Sequence, residues 1–196
     1  IKFSTYKKNK NSKILNIIGK SGSGKSVVCD ILSGQLNWSG QIIFNETKLE
    51  INNQCTNLFD AIYLTQTTKL HRQTLNEYLG PQKTWIKFTV IQELLQLFDF
   101  VNLLKDKDYI GTDDRSLSGG QTQIIRLIKA LKTIEIEKKI KKTIIIDEGL
   151  SGIPFKTRSK VLTILTTSGY NIIYISHDNN DNITSSRKLI AENYKL

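Results

Sequence analysis

The clearest chemistry in this chain lies in Gly19-Lys20-Ser21-Gly22-Ser23-Gly24-Lys25-Ser26, which fits the pattern G-x-x-x-x-G-K-[ST]. Glycines at these positions let backbone N–H groups turn inward around an anion, and a helix starting just after them adds its positive N-terminus. In such a P-loop the lysine, here Lys25, reaches the β- and γ-phosphates of a nucleoside triphosphate, and the Ser26 hydroxyl ligates Mg²⁺. Gly19, Ser21, Gly22, Ser23 and Gly24 complete the candidate cradle. A second candidate is Asp147-Glu148, which closes the β-branched run Thr143-Ile144-Ile145-Ile146. A carboxylate at Asp147 can hold the shell of a Mg²⁺ ion, although an Asp-Glu pair taken alone is more often a solvated strand end. The third is Leu117-Ser118-Gly119-Gly120-Gln121, which in isolation reads as a glycine turn with a helix cap.

These residues need a scaffold, and the hydrophobic pattern supplies one. Ile14 to Ile18 is a short, mostly apolar run ending in glycine, so it reads as a buried strand feeding the P-loop, with a helix over Ser26 to Leu32. Gln41 to Phe44 and Lys48 to Ile51 suggest an antiparallel flank, and Ala61 to Leu64 a strand ending at Thr65-Gln66. From Asn76 to Leu104 the pattern turns helical, with Val90, Ile91, Leu94, Leu95, Leu97 and Phe98 on one stripe. Ile124, Ile125, Leu127, Ile128 and Leu131 predict a further helix, and Val161 to Leu165 another. Thr143 to Ile146 and Asn171 to Ser176 read as strands. Strands alternating with helices predict an α/β fold with a mainly parallel sheet covered on both faces. The helical block from about Gln66 to Ser116 interrupts that alternation and reads as an inserted subdomain.

The chain has 196 residues, enough for one good core, and its apolar fraction of 39% is ordinary. No apolar run approaches the roughly 20 residues of a membrane span, and no signal-peptide pattern opens the chain. Methionine is absent even at position 1, which points to a processed or trimmed chain. Cys29 and Cys55 form no C-x-x-C, so neither a metal site nor a disulfide framework is expected, and a reducing compartment is. The net charge is +10, with lysines crowded at Lys2, Lys7, Lys8, Lys10 and Lys13 and again at Lys138, Lys139, Lys141 and Lys142. Solvated lysine-rich loops explain such clusters more readily than contact with nucleic acid or an anionic leaflet.

A P-loop followed by LSGGQ resembles the ATP-binding cassette (ABC) ATPases, and the resemblance runs from about Ile14 to Leu189. It implies a P-loop NTPase (RecA-like) core over 1–66 and 131–196, with an antiparallel β flank and a helical subdomain over 67–130 carrying LSGGQ. It implies ATP and Mg²⁺ as cofactors, with Asp147 as the Walker B carboxylate and Glu148 as the base that polarises water. Gln66 takes the place of the Q-loop glutamine, touching metal or water. His177 takes that of the switch histidine at the γ-phosphate. In the family, Ser118, Gly119, Gly120 and Gln121 close over the P-loop of a second copy. The implied partners are therefore a second nucleotide-binding domain, in a homo- or heterodimer, and a transmembrane domain. The implied location is the cytoplasmic face of a membrane. The stretch Asp108 to Ser116 looks like the segment before LSGGQ in exporters, so export is expected over import.

Three departures stand out. Gly149-Leu150-Ser151-Gly152-Ile153-Pro154 occupies the D-loop, with proline where the family has aspartate. Lys132 to Lys142 reads as a charged surface extension before the Walker B strand, and no aromatic suits adenine stacking, Tyr6 being a poor candidate. Ser4 to Ile18 reads instead as the strand pair just before the P-loop. The rival reading is a soluble ABC ATPase acting on nucleic acid or ribosomes, or a regulatory cassette that does not hydrolyse. No long heptad insertion or zinc cysteine set supports the former, and Glu148 with His177 argues against the latter.

Overall fold

Isoleucine-rich runs with alternating environments build the centre of the molecule. A computed structural model describes residues 3–6, 13–44, 47–54, 60–65, 70–98, 100, 109–111, 117–138, 142–176 and 187–191. Among them a six-stranded sheet has the order β1 (Phe3–Tyr6), β10 (Arg187–Ala191), β2 (Ile14–Ile18), β9 (Asn171–Ser176), β8 (Thr143–Asp147), β5 (Ile62–Thr65). Only β1 runs antiparallel to its neighbour. The remaining strands form two pairs, β3 (Trp38–Phe44) with β4 (Thr47–Gln54) and β6 (Gln73–Thr74) with β7 (Tyr109–Ile110). The expected antiparallel flank is the β3–β4 pair.

Strand periodicity sends alternate residues to opposite faces. On one face Ile17, Ile145, Ile173 and Ile175 pack with Cys29 of α1 (Lys25–Ser33). On the other, Ile144, Ile146, Ile172 and Tyr174 join one cluster with residues of α2 (Leu75–Leu79), α3 (Thr89–Leu97), α4 (Gly119–Glu137) and α5 (Phe155–Thr167). The helical segment thus shares its core with the sheet. The helical stretch predicted from Asn76 is broken by Gly80-Pro81, where Gly80 has φ 75° and Trp85 donates its indole N–H to the Gly80 carbonyl at 3.0 Å. The proline cannot continue a helix from the preceding residues.

Two other expectations change. Ser4 to Ile18 does not form a strand pair: β10 lies between β1 and β2 and bonds to both, because a parallel β2–β10 pairing is closed by a long crossover and not by a hairpin. Residues from Lys132 to Glu137 are not a surface extension but the last turns of α4, held by Lys132 donating to the Leu79 carbonyl.

The end of α4 is fastened by Glu135 to the residues just before β8 and β9, accepting from Lys142 Nζ at 2.6 Å and from the Tyr170 hydroxyl at 2.5 Å. Burial works to raise the Glu135 pKa, but the two hydrogen bonds and the Lys142 charge outweigh it and hold the carboxyl below its ordinary range. A carboxyl whose folded pKa is depressed contributes stability above its unfolded pKa and loses it as pH falls through the folded value. Glu135→Gln is therefore expected to lower stability at pH 7 by about 1 kcal/mol, below the roughly 1.5–3 kcal/mol of a hydrogen bond to a charged group because Lys142 is water-accessible. The difference should close as pH drops below the ordinary glutamate range. Thermal melts of both proteins from pH 7 to pH 3 check this; a constant gap would count against it.

Candidate functional site

The carboxyl ends of four adjacent parallel strands form one row. Ile18 pairs with Ser176, Ile175 with Asp147, and Asp147 with Thr65. The P-loop leaves β2, Asp147-Glu148 ends β8, and the positions after Thr65 and Ser176 belong to Gln66 and His177. Gln66 and His177 themselves lie outside the described residues, as do Asp108 and residues 112–116. The carboxyl edge of an open parallel sheet is where α/β proteins bind ligands.

The P-loop takes its shape from left-handed glycines: Gly22 has φ 78° and Gly24, which caps α1, has φ 85°. L side chains rarely adopt that region. Ser23 N–H donates to the Lys20 carbonyl at 3.2 Å, closing the turn. Lys25 is 4% exposed, and its ammonium donates to the carbonyls of Gly19 at 2.8 Å and Lys20 at 2.9 Å. Burial lowers the Lys25 pKa, and the charges of Glu148 and Asp147 oppose that. Ser26 is exposed at the first turn of α1, and Ser21 is exposed in the loop.

Ser23 Oγ is buried and has no hydrogen-bond partner among the described residues. An orphaned buried hydroxyl, a buried lysine and a helix N-terminus at one loop fit a phosphate chain. The oxygen donors of Asp147 and Ser26 suit a hard cation such as Mg²⁺, which keeps several waters. Among the described residues no group of three His, Cys, Asp or Glu gathers into a metal cluster.

Asp147 is 9% exposed and accepts a hydrogen bond from the Tyr63 hydroxyl at 2.9 Å through Oδ2. Burial and the Asp147 carboxylate hold the Tyr63 phenol well above its ordinary pKa, as burial does the nearby Cys29 thiol. Glu148 sits at φ 54°, a left-handed conformation that is uncommon for a non-glycine residue. Its backbone bridges to Thr65 of β5, its N–H points to Ile175 O at 3.4 Å, and its carbonyl accepts from Ser151 N at 3.0 Å. Strained backbone of this kind clusters at functional positions.

The LSGGQ stretch forms the N-terminus of α4 through a reciprocal cap. Gln121 N–H donates to Ser118 Oγ at 3.2 Å, and Ser118 N–H donates to Gln121 Oε1 at 2.8 Å. In this cap Ser118 Oγ acts as an acceptor, and Gln121 engages through both its backbone N–H and its side-chain oxygen. Ser118 and Gly119 are exposed. A Cβ on Gly120 would lie 2.8 Å from the Gly152 carbonyl oxygen, so α4 meets the loop after Glu148 at a distance only glycine allows.

Three residues that the sequence reading passed over hold this arrangement. Gln123 accepts from Gly152 N–H at 2.9 Å and donates to Ser151 Oγ at 3.2 Å. Arg126, on the same helix, donates to the Thr65 carbonyl at 2.7 Å. Arg158 donates to the Ile153 carbonyl at 3.2 Å and the Tyr174 hydroxyl at 3.2 Å. Polar residues three apart within an otherwise apolar helix face, Gln123 and Arg126, were the available signal. Pro154 has φ −54° and caps α5, so it suits the backbone there but supplies no side-chain cap.

Fold and P-loop together define an ATP-binding α/β domain. Residues 7–149 match the ABC transporter family, and the chain belongs to that family. It is 24% identical over 194 residues to the spermidine/putrescine import ATP-binding protein PotA of Borreliella afzelii (strain PKo), covering 95% of this chain and 53% of that protein. It is 25% identical over 186 residues to the vitamin B12 import ATP-binding protein BtuD of Salmonella heidelberg (strain SL476), covering 89% of this chain and 70% of that protein. The chain thus spans about half the length of PotA. Its fold is similar to that in the structure of a bacterial Atm1-family ABC exporter with ATP bound, at a TM-score of 0.66 and 17% identity over 91% of this chain and 32% of that one. Among the described residues no helix is long and apolar enough to cross a membrane.

Proposed function

We propose that this chain binds Mg-ATP, pairs face to face with a second cassette, and hydrolyses ATP to drive a transmembrane partner at the cytoplasmic face of a membrane. The observation that carries the proposal is the row of strand ends. It sets Lys25 in the field of Asp147 and Glu148 while α4 packs its capped N-terminus on the loop after Glu148. Gly19, Ser21, Gly22, Ser23 and Gly24 would offer backbone and hydroxyl donors to the phosphates, and Lys25 its charge. Ser26, Asp147 and Gln66 would hold Mg²⁺, which when bound neutralises charge on the β- and γ-phosphates. Glu148 would take a proton from the attacking water, and His177 would orient the γ-phosphate. Ser118, Gly119, Gly120 and Gln121 would serve the opposing copy's nucleotide. In this reading 67–130 is the helical subdomain and 1–66 with 131–196 the core.

Export is the finer part of the proposal, and the stretch from Asp108 to Ser116 supports it. PotA and BtuD carry import in their names and weigh on the other side. ATP-driven efflux against uptake in vesicles holding the transmembrane partner distinguishes the two directions.

A shared site has a kinetic signature. Specific ATPase activity is expected to rise with protein concentration, because each site is completed by a second molecule. Light scattering should find mainly monomer without nucleotide, since polar, phosphate-binding faces need ATP as the bridging ligand. Activity independent of concentration in a protein that stays monomeric with ATP would overturn the dimer reading.

A further inference from the structure

Tyr63 lies on β5 and Asp147 at the end of β8, with Tyr63 opposite Ile145 and Thr65 opposite Asp147. Tyr63 and Asp147 are therefore diagonal neighbours on adjacent strands, a separation that a long side chain spans. The phenol oxygen comes to 2.9 Å from Asp147 Oδ2, and the ring is half-buried against the cluster of Ile17, Cys29 and Ile145. An ionised carboxylate only accepts, so the phenol is the donor and the direction of the bond is fixed. With Oδ2 engaged and the ring wedged in apolar packing, the Asp147 side chain has little rotational freedom. We propose that Tyr63 is a positioning residue that fixes the Asp147 carboxylate for a divalent cation, leaving Oδ1 as the oxygen free of the phenol. This rests on the reading above that Asp147 serves a nucleotide-bound Mg²⁺.

An outer hydrogen bond orients a metal ligand, and its loss typically weakens metal binding about 10–100-fold. Mg²⁺ is demanding in geometry, so a carboxylate that wanders between rotamers loses more toward it than toward a larger ion. Tyr63→Phe removes one oxygen and keeps the ring, so the packing against Ile17 and Cys29 stays.

The test is calorimetric titration with ATP in EDTA and again with Mn²⁺, the ratio of the two dissociation constants measuring how far metal tightens binding. Wild type, Tyr63→Phe, Asp147→Asn and the double variant are compared. Tyr63→Phe is expected to cut the metal-dependent tightening about tenfold and to leave ATP affinity in EDTA unchanged. The double variant should lose no more than Asp147→Asn alone, because Tyr63 acts through Asp147. If Asp147→Asn abolishes the tightening but Tyr63→Phe does not touch it, the proposal falls and the metal reading of Asp147 stands. If Tyr63→Phe weakens ATP equally in EDTA and Mn²⁺, the residue is structural only and the proposal falls. If neither variant changes the ratio, Asp147 is no metal residue and both readings are lost.

Discussion

Glu148→Gln is expected to slow ATP turnover by about 100-fold or more, the usual loss on removing a general base, while Mg-ATP still binds. Glutamine has the size of glutamate and keeps the backbone, but its amide cannot take a proton from water. The left-handed strain at Glu148, φ 54°, is the same for either side chain, so thermal stability should change little. The anchors of this position are main-chain contacts to Thr65, Ile175 and Ser151, and they survive the substitution. Because the γ-phosphate then persists, ATP should drive the variant into a dimer that wild type forms only transiently. Phosphate release and light scattering with ATP check both halves. Turnover at the wild-type rate would remove Glu148 from its role, and a slowed rate with a normal melt would exclude misfolding as its cause.

The same region shows how far local sequence reaches. The P-loop, the Walker-type strand and the LSGGQ turn are contiguous, and their chemistry follows from residue order alone. The strands β2, β5, β8 and β9 announce themselves by short apolar runs ending at Gly19, Thr65, Asp147 and Ser176. What joins these pieces is long-range and leaves little trace. Nothing near Tyr63 in the chain reveals that β5 pairs with β8 in a register that carries its hydroxyl to Asp147, a residue 84 positions on. Gln123 sits among isoleucines and leucines and looks like a break in an apolar stripe, until the loop from Ser151 to Gly152 arrives beside it. The left-handed backbone at Glu148 is equally silent, because glutamate has no preference for it and its main-chain contacts are to Thr65 and Ile175, both distant in sequence, and to Ser151. Strand neighbours mislead for the same reason. β1 and β2 are adjacent in sequence, yet β10, from the far end of the chain, separates them.

Pro154 illustrates the opposite case, a residue whose oddity in sequence is muted in structure. Read against the family's aspartate, it removes a carboxylate and an N–H. In place it caps α5 at φ −54°, the value its ring enforces, and its carbonyl accepts from Arg158 N at 2.9 Å. Arg158 then ties the preceding Ile153 carbonyl to Tyr174 of β9. The loop after Glu148 is therefore held by Gln123 and Arg158 from the two helices it touches, and the missing cap is offset by neighbours.

Lys25→Ala is expected to weaken Mg-ATP binding about 100-fold or more. A hydrogen bond to a charged group contributes roughly 1.5–3 kcal/mol, and each 1.4 kcal/mol is tenfold in affinity. Two such contacts, to the β- and γ-phosphates, are at stake. The side chain also has a task without nucleotide, since its ammonium bonds the Gly19 and Lys20 carbonyls and the residue is buried. Truncation therefore has two effects, loss of a counter-charge and loosening of the loop. Titration with ATP, ADP and AMP separates them. A phosphate contact predicts a large loss for ATP, a smaller one for ADP and almost none for AMP, which lacks both phosphates that Lys25 would reach. A collapsed loop predicts equal losses for all three. Unchanged ATP affinity would sink the P-loop assignment itself, and a uniform loss would move Lys25 from a phosphate ligand to a brace of the loop that surrounds it.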